Sequence, residues 1–478
     1  MSIFWKSFFI ALAVTVVSVV GFFFPAVRLG GFVLIVGAAL WLAWKKPAQA
    51  FLIVALEWVA GHEGHLFEAG GVSLRLALFA VLMLASARYL YQCDIRLKNC
   101  VRLLADRFGA PVRHAKLFLV IIALAVFAAV IGWWRGNDLM NVARGFISYG
   151  FYLTAVPLVI FWNEIKNRRD QWIPWIVGAI AAVSLVTLIL FLGFSWGQIA
   201  VHDSLYNWWR EFAGGKATDT GLYFFRLASP THLLNLLFFF VLGYSWRDSF
   251  GRQRRGERRA LTLMLAVVIL GLVINFSRAY FLGLAVGSLG FFIRAPWKKS
   301  VAIVALTAAI FFGEFAGLNL LASNGKTFGL ELLRGRAVSL IAPETETSSR
   351  LRQEILPMLF SAIGRHKILG SGLGTEITFW SASSERLFKT RSFDWGYLQM
   401  WIELGLLGAA FLTAFILLLN WRYFKSVVKN GDTTSGIGWS SSAALMVTAI
   451  FTPVIFHPLG IITIVFLWRL SYDNPYEI

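Results

Sequence analysis

Apolar residues recur along this chain in runs of about 16–20, each closed by a short polar or charged segment, and a helix of that length crosses a bilayer. About 14 such runs are readable. The first eight lie near 7–24, 29–44, 47–60, 73–91, 116–134, 145–162, 173–194 and 230–246. The others lie near 260–276, 278–293, 300–316, 396–420, 436–453 and 457–470. The third run is short enough to be re-entrant. The pattern predicts an all-α fold, a polytopic transmembrane helical bundle of about 12–14 spans with a large extracytoplasmic helical loop. Residues 1–316 hold the first eleven spans with short loops, 317–395 form the large loop, and 396–478 form the C-terminal spans. Lys6 precedes the first apolar run and no small-residue cleavage site follows it, so the run reads as a first span rather than a removed signal.

Two inter-run segments, 195–229 and 317–395, exceed what a connection needs, and long loops in compact bundles are commonly functional. The second places Leu351, Ile355, Leu359 and Ile363 at helical spacing, which predicts an ordered amphipathic helix. It is also basic, carrying Arg334, Arg336, Arg350, Arg352, Arg365, Lys367, Arg386, Lys389 and Arg391.

Composition agrees with a membrane protein: 58% of residues are hydrophobic and 14% charged, with mean hydropathy +0.69. The formal charge of +19 suggests nucleic acid only until the basic residues are located. They cluster in the short segments 92–115, 163–171, 247–259, 294–299 and 421–430, whereas 61–72 carries Glu63 and Glu68 and no Lys or Arg. Alternating the spans puts all the basic loops on one side, so both termini are expected in the cytoplasm and the two long loops outside it. Nucleic acid is thereby excluded as a partner and the lipid bilayer takes its place. Trp and Tyr near the run ends fit an interfacial aromatic belt. Cys93 and Cys100 share one basic loop at a spacing that matches no common zinc motif, and they read as free thiols.

Four groups line up on the outer side. Arg226 lies in Tyr-Phe-Phe-Arg226-Leu-Ala-Ser-Pro-Thr-His232, just before a span; Arg278 lies in Asn275-Phe-Ser277-Arg278-Ala-Tyr280, between two spans. Arg350 opens the amphipathic stretch and Asp394 closes the long loop. A guanidinium offers phosphate two parallel hydrogen bonds and stays protonated at any working pH. Several of them can neutralise a pyrophosphate leaving group, while a carboxylate close by can take the proton of an attacking hydroxyl. The structural alternatives are concrete. An arginine at a helix end commonly snorkels to headgroups. Asp394 is equally placed to cap the helix beginning near Gly396, and Tyr397 and Glu403 are equally packing residues. His62-Glu63-Gly-His65 lacks the spacing of a zinc-protease helix and gives a poor metal site. Gly370-Ser-Gly372-Leu-Gly374 follows no strand pattern and reads as a tight turn. His366 stands as a reserve base.

In order, spacing and sidedness these elements resemble the O-antigen ligase and polymerase superfamily of integral-membrane glycosyltransferases, over about the last 260 residues. Arg226 before a Pro and a polar pair, and Ser277-Arg278 heading a span, look like the family's first two arginine positions. Arg350 with Gly370-Ser-Gly372-Leu-Gly374 resembles its large periplasmic loop. Asp394-Trp-Gly-Tyr397-Leu with Glu403-Leu-Gly405-Leu-Leu-Gly408 resembles its His-Asn-x-Tyr-Leu … Glu-x-Gly-Leu-x-Gly signature. Ligases of the family carry a histidine where this chain has Asp394, and an Asn where it has Trp395. Some exopolysaccharide polymerases share the acidic residue, which tilts the reading towards a Wzy-type polymerase.

The resemblance implies metal-independent, inverting transfer from an undecaprenyl-pyrophosphate-linked oligosaccharide, with no cofactor, to a glycan or, in a ligase, to lipid A-core. It implies Asp394, Arg278 and Arg226 as catalytic residues. Arg350, Arg352, Tyr397, His366 and Tyr280 are the expected substrate-binding residues. Chain-length regulator and flippase proteins are the expected protein partners. A transporter or flippase of lipid-linked glycans is the rival from another class. It predicts charge midway along spans and internal repeat symmetry, whereas the mid-span regions read as nearly charge-free.

Overall fold

The computed structural model describes residues 2–92, 110–249, 255–341, 347–382 and 385–473. Cys93, Cys100 and most of their basic loop lie outside the described residues. The molecule is helical, and each of the apolar runs coincides with a helix or a helix continued through a 3-10 turn. Among the described residues eight helices are long and apolar enough to cross a membrane, including Ser2–Phe23, Lys116–Trp134, Asp170–Ser195 and Gly396–Asn430. Pro47–Ala60, Arg278–Phe292 and Pro458–Leu470 are apolar but shorter. The helix Pro47–Ala60 has 14 residues. At 1.5 Å per residue that is about 21 Å, well under the roughly 30 Å hydrocarbon thickness, as the short third run foretold.

The chain divides into two compact units. Unit 1 comprises Met1–Phe108, Val156–Ser277 and Phe291–Leu330. Its first helix presents Ser7, Ala11, Thr15, Ser18 and Gly21 as a buried stripe of small residues, and small residues let helix backbones approach. Its N-terminal end faces Arg169–Ser195, where Ser7 Oγ donates to the Trp175 carbonyl and a Cβ on Gly178 would strike the Phe4 carbonyl, while Ser18 Oγ donates to the Leu66 carbonyl. The loop between Arg169–Ser195 and His232–Ser249 is ordered, with a helix Ser204–Glu211 and an antiparallel hairpin pairing Lys216–Asp219 with Phe225–Ala228. In that register Arg226 stands opposite Thr218.

Unit 2 comprises Gly109–Ala155, Arg278–Gly290 and Glu331–Ile478. Arg278–Ser288 packs on Thr433–Phe451, where Thr448 Oγ1 donates to the Ala279 carbonyl at 3.4 Å, and Gly283 and Gly287 of the first helix and Ser441 and Ala444 of the second are buried. The long loop is ordered where described. It forms the helices Leu330–Ile341 and Thr347–Arg365, then a hairpin pairing Ile377–Ser381 with Arg386–Thr390.

Two features depart from the sequence reading. Among the described residues three short hairpins, one of them Glu68–Ala69 with Val72–Ser73, punctuate the loops. Ionisable groups also sit within the helices. Glu57 and Arg75 form a buried ion pair at 3.1 Å in unit 1, and Glu314 is half-buried in Trp297–Ala322. Hydropathy passes over such groups because one charge barely changes the mean of an apolar window, and pairing removes most of its cost.

Candidate active site

The helix Thr347–Arg365 organises the site in unit 2. Its apolar stripe is used as the spacing predicts. Ile355, Leu359 and Ile363 are buried against Ile377 and Phe379 of the hairpin and against Phe393 and Ile402, with Leu351 at the margin. Burying that stripe fixes the helix rotation, and Ser349, Arg350 and Arg352 all lie in the first two turns of the helix. Arg278, the first residue of Arg278–Ser288, reaches the first of them: its Nη2 donates to Ser349 Oγ at 2.7 Å. Arg352 Nε donates to Asp394 Oδ2 at 3.0 Å. Trp395 Nε1 closes the loop by donating to the Arg352 carbonyl at 3.2 Å.

Three guanidinium groups and one carboxylate thus belong to the surroundings of one helix start, whose dipole adds positive potential. Arg350 and Asp394 are exposed, and Arg278 and Arg352 are half-buried. A pair with Asp394 at 53% exposure contributes little to stability, so its effect is to aim the carboxylate. Asp394 does not act as the cap that its position suggested. Trp395 is the N-cap of Gly396–Asn430 and makes no side-chain capping bond.

The remaining candidates separate. Tyr397 Oη donates to the Met446 carbonyl at 3.2 Å and Tyr280 is buried in the first turn of its helix, so both are built into the bundle wall. His366 lies just past the far end of Thr347–Arg365. The 14 positions from Arg352 correspond to about 21 Å of helix, so it is no neighbour of the Asp394 carboxylate. Its pKa is held below the usual imidazole value by desolvation first, then by Arg135 and Arg365.

The two glycine motifs interlock. Gly405 takes φ +71° and ψ −179° inside Gly396–Asn430, a left-handed φ that breaks the helical hydrogen-bond ladder. The loop fills the break: Ser371 N donates to the Ile402 carbonyl at 2.6 Å, and Leu406 N donates to the Lys367 carbonyl at 2.9 Å. On its other side the glycine turn meets Ala110–Trp134, where Leu373 N bonds the Ala128 carbonyl at 2.9 Å. Asn137 Nδ2 bonds the Leu373 carbonyl at 2.8 Å, and Arg135 Nη1 bonds that of Gly370. Gly370, Gly372 and Gly374 all have positive φ, and a Cβ at each would strike backbone. The turn is therefore tight, as expected, and also the clasp that ties the loop to the bundle. Glu403, two residues before the break, is buried and accepts from Gln399 Nε2 at 3.0 Å; Gln399 Oε1 accepts from Phe393 N at 3.2 Å.

In unit 1, Arg226 Nε donates to the carbonyl of Asn275 at 2.8 Å. Asn275 ends the helix Arg255–Asn275, so this carbonyl has no intrahelical donor and lies at the negative end of the helix dipole. Phe276 at φ +45° then turns the chain into Ser277-Arg278. Sequence reasoning missed Ser349, Gln399, Arg135 and Asn137. They hold other candidates in place through short-range contacts, and nothing in a local pattern marks such partners. His62 and His65 do not share a site: His62 Nδ1 bonds Ser229 Oγ at 2.8 Å, and His65 pairs with Glu68 at 3.5 Å.

Helices of membrane-crossing length, joined to a loop that is ordered where described, mark a multi-pass membrane protein. Residues 261–413 match the family model described as O-antigen ligase. Over that stretch, about a third of the chain, the protein is similar to the O-antigen ligase family, which supports an O-antigen ligase or polymerase type of function. The match encloses Arg278, Arg350, Arg352, Asp394, Tyr397 and both glycine motifs, and it stops short of Arg226, a narrower stretch than the motifs implied. No curated protein matches the chain.

Proposed function

We propose that this protein is an inverting, metal-independent glycosyltransferase that polymerises undecaprenyl-pyrophosphate-linked repeat units into a surface polysaccharide at the periplasmic face of the inner membrane. The observation that carries the reading is the gathering of Arg278, Arg350 and Arg352 with Asp394 at the start of Thr347–Arg365. Arg278 and Arg350 take the pyrophosphate oxygens, whose charge grows as the glycosidic C–O bond breaks. Asp394, aimed by Arg352, accepts the proton of the acceptor hydroxyl as that oxygen attacks the anomeric carbon from the opposite face. Arg226 is assigned to phosphate on the same chemical grounds, with its side chain tied to the segment that leads into Arg278.

The second reading, a ligase delivering finished glycan to lipid A-core, is favoured by the description of the matching family. The carboxylate at position 394, where ligases of the family carry histidine, favours polymerisation. The deciding experiment is the length distribution of undecaprenyl-linked glycans in a deletion strain. Single repeat units that accumulate without the gene, and lengthen when it is restored, mark a polymerase. Long untransferred polymer marks a ligase.

A further inference from the structure

Unit 1 contains a buried polar network that the proposed chemistry does not use directly, and it ends on Arg226. Glu57 and Arg75 pair through Arg75 Nε and Nη2, and Arg75 Nη2 also donates to the His62 carbonyl at 2.7 Å. His62 Nδ1 meets Ser229 Oγ at 2.8 Å, and Ser229 Oγ meets Thr231 Oγ1 at 3.0 Å. His232 Nδ1 receives two donors, the Ser229 N–H at 3.2 Å and Asn275 Nδ2 at 2.8 Å. The carbonyl of that same Asn275 holds Arg226 Nε. His62, Ser229, Thr231, His232 and Asn275 are all at most 5% exposed. Because two N–H donors point at Nδ1, that nitrogen carries the lone pair and Nε2 carries the proton, so His232 works here as a neutral acceptor.

His232 therefore ties three elements at one atom. It opens the helix His232–Ser249, reaches back to the end of the hairpin strand that carries Arg226, and grips the last residue of Arg255–Asn275. Phe276, next along, is buried at a left-handed φ that bulky residues rarely adopt. Such a backbone persists only when its surroundings over-determine it, and the His232–Asn275 bond supplies part of that constraint.

We infer that His232 is a positioning residue: through Asn275 it fixes the carbonyl that aims the Arg226 guanidinium at a phosphate of the lipid-linked donor. The inference rests on the reading that Arg226 binds donor phosphate. A phenylalanine at 232 fills the space but leaves the Ser229 and Asn275 donors unmatched, whereas an asparagine offers Oδ1 close to where Nδ1 stood.

The test is binding of undecaprenyl pyrophosphate to the full-length protein in lipid nanodiscs, with thermal unfolding followed alongside. Arg226→Ala is expected to weaken binding about tenfold, the loss of one charge-assisted contact. His232→Phe and Asn275→Ala are each expected to weaken it by a similar factor, and His232→Asn to restore most of it. In the double variant Arg226→Ala/His232→Phe the two factors do not multiply, because the histidine acts through the arginine. Wild-type affinity in Arg226→Ala overturns the assignment of Arg226 to phosphate, and the positioning role with it. Weakened binding in Arg226→Ala beside wild-type affinity in folded His232→Phe overturns the positioning role alone, as do factors that multiply. Should His232→Phe fail to fold, Asn275→Ala decides, since it keeps the carbonyl and removes only the bond to the histidine.

Discussion

Asp394 and Arg352 form the pair on which the proposed chemistry turns, and their exposure separates function from stability. A half-exposed ion pair of this kind is worth about 0–1 kcal/mol, so Arg352→Ala is expected to leave thermal unfolding nearly unchanged. The same variant frees the carboxylate to turn, and transfer is expected to fall by about tenfold or more. Asp394→Asn removes the proton acceptor and is expected to abolish transfer in a protein that still folds; full activity would remove Asp394 from the mechanism. His62 is the opposite case. Desolvation first, then His232 and Arg75, lower its pKa to about 3 from the ordinary 6.5. The unfolded chain therefore binds a proton that the folded one refuses, and stability falls as pH drops from about 6.5 towards 3. Thermal unfolding of wild type is expected to shift down across this window, and His62→Asn, which removes the titrating group, to flatten that shift.

At the scale of elements, the clasp between the glycine turn and the broken helix is where the loop gains its fixed position. Gly405 combines a left-handed φ with contact against the Ile368 carbonyl and Gly370 N, so a Cβ is excluded twice. Gly405→Ala is expected to cost at least the roughly 1–2 kcal/mol of a left-handed L-residue, and to lower activity by shifting the loop that carries Arg350, Arg352 and Asp394. Gly30→Ala is the control. It sits in the helix Pro25–Lys45 with nothing within 4 Å of the point a Cβ would occupy, and thermal unfolding should not fall. The amphipathic helix Thr347–Arg365 was legible in the sequence because its stripe is local and periodic. The hairpin Ile377–Ser381 with Arg386–Thr390 was not: five-residue strands give a weak signal beside basic residues that break the apolar alternation.

At the scale of the whole molecule, the basic loops argue for both termini in the cytoplasm and the long loop outside. A reporter that fluoresces only in the cytoplasm is expected to light up when fused after Ile478. Ala382→Cys is exposed in the hairpin turn. In a background with Cys93 and Cys100 changed to Ser, it is expected to react with a membrane-impermeant maleimide from the periplasmic side. Labelling only after the inner membrane is broken would invert the topology and move the proposed site to the cytoplasm.

The sequence by itself determined the helical class, the positions of the apolar helices and the identity of Arg278, Arg350 and Asp394 as candidates. Those follow from bilayer thickness, hydropathy and residue chemistry, which act over a few turns of chain. Tertiary structure alone decided which of the candidates meet. Ser349 holds Arg278, Arg352 rather than His366 holds Asp394, and two glycine motifs about 30 residues apart share one set of backbone hydrogen bonds. Hydrogen bonds of this kind depend on positions fixed to a few tenths of an ångström by packing between distant segments, and no periodicity along the chain encodes them.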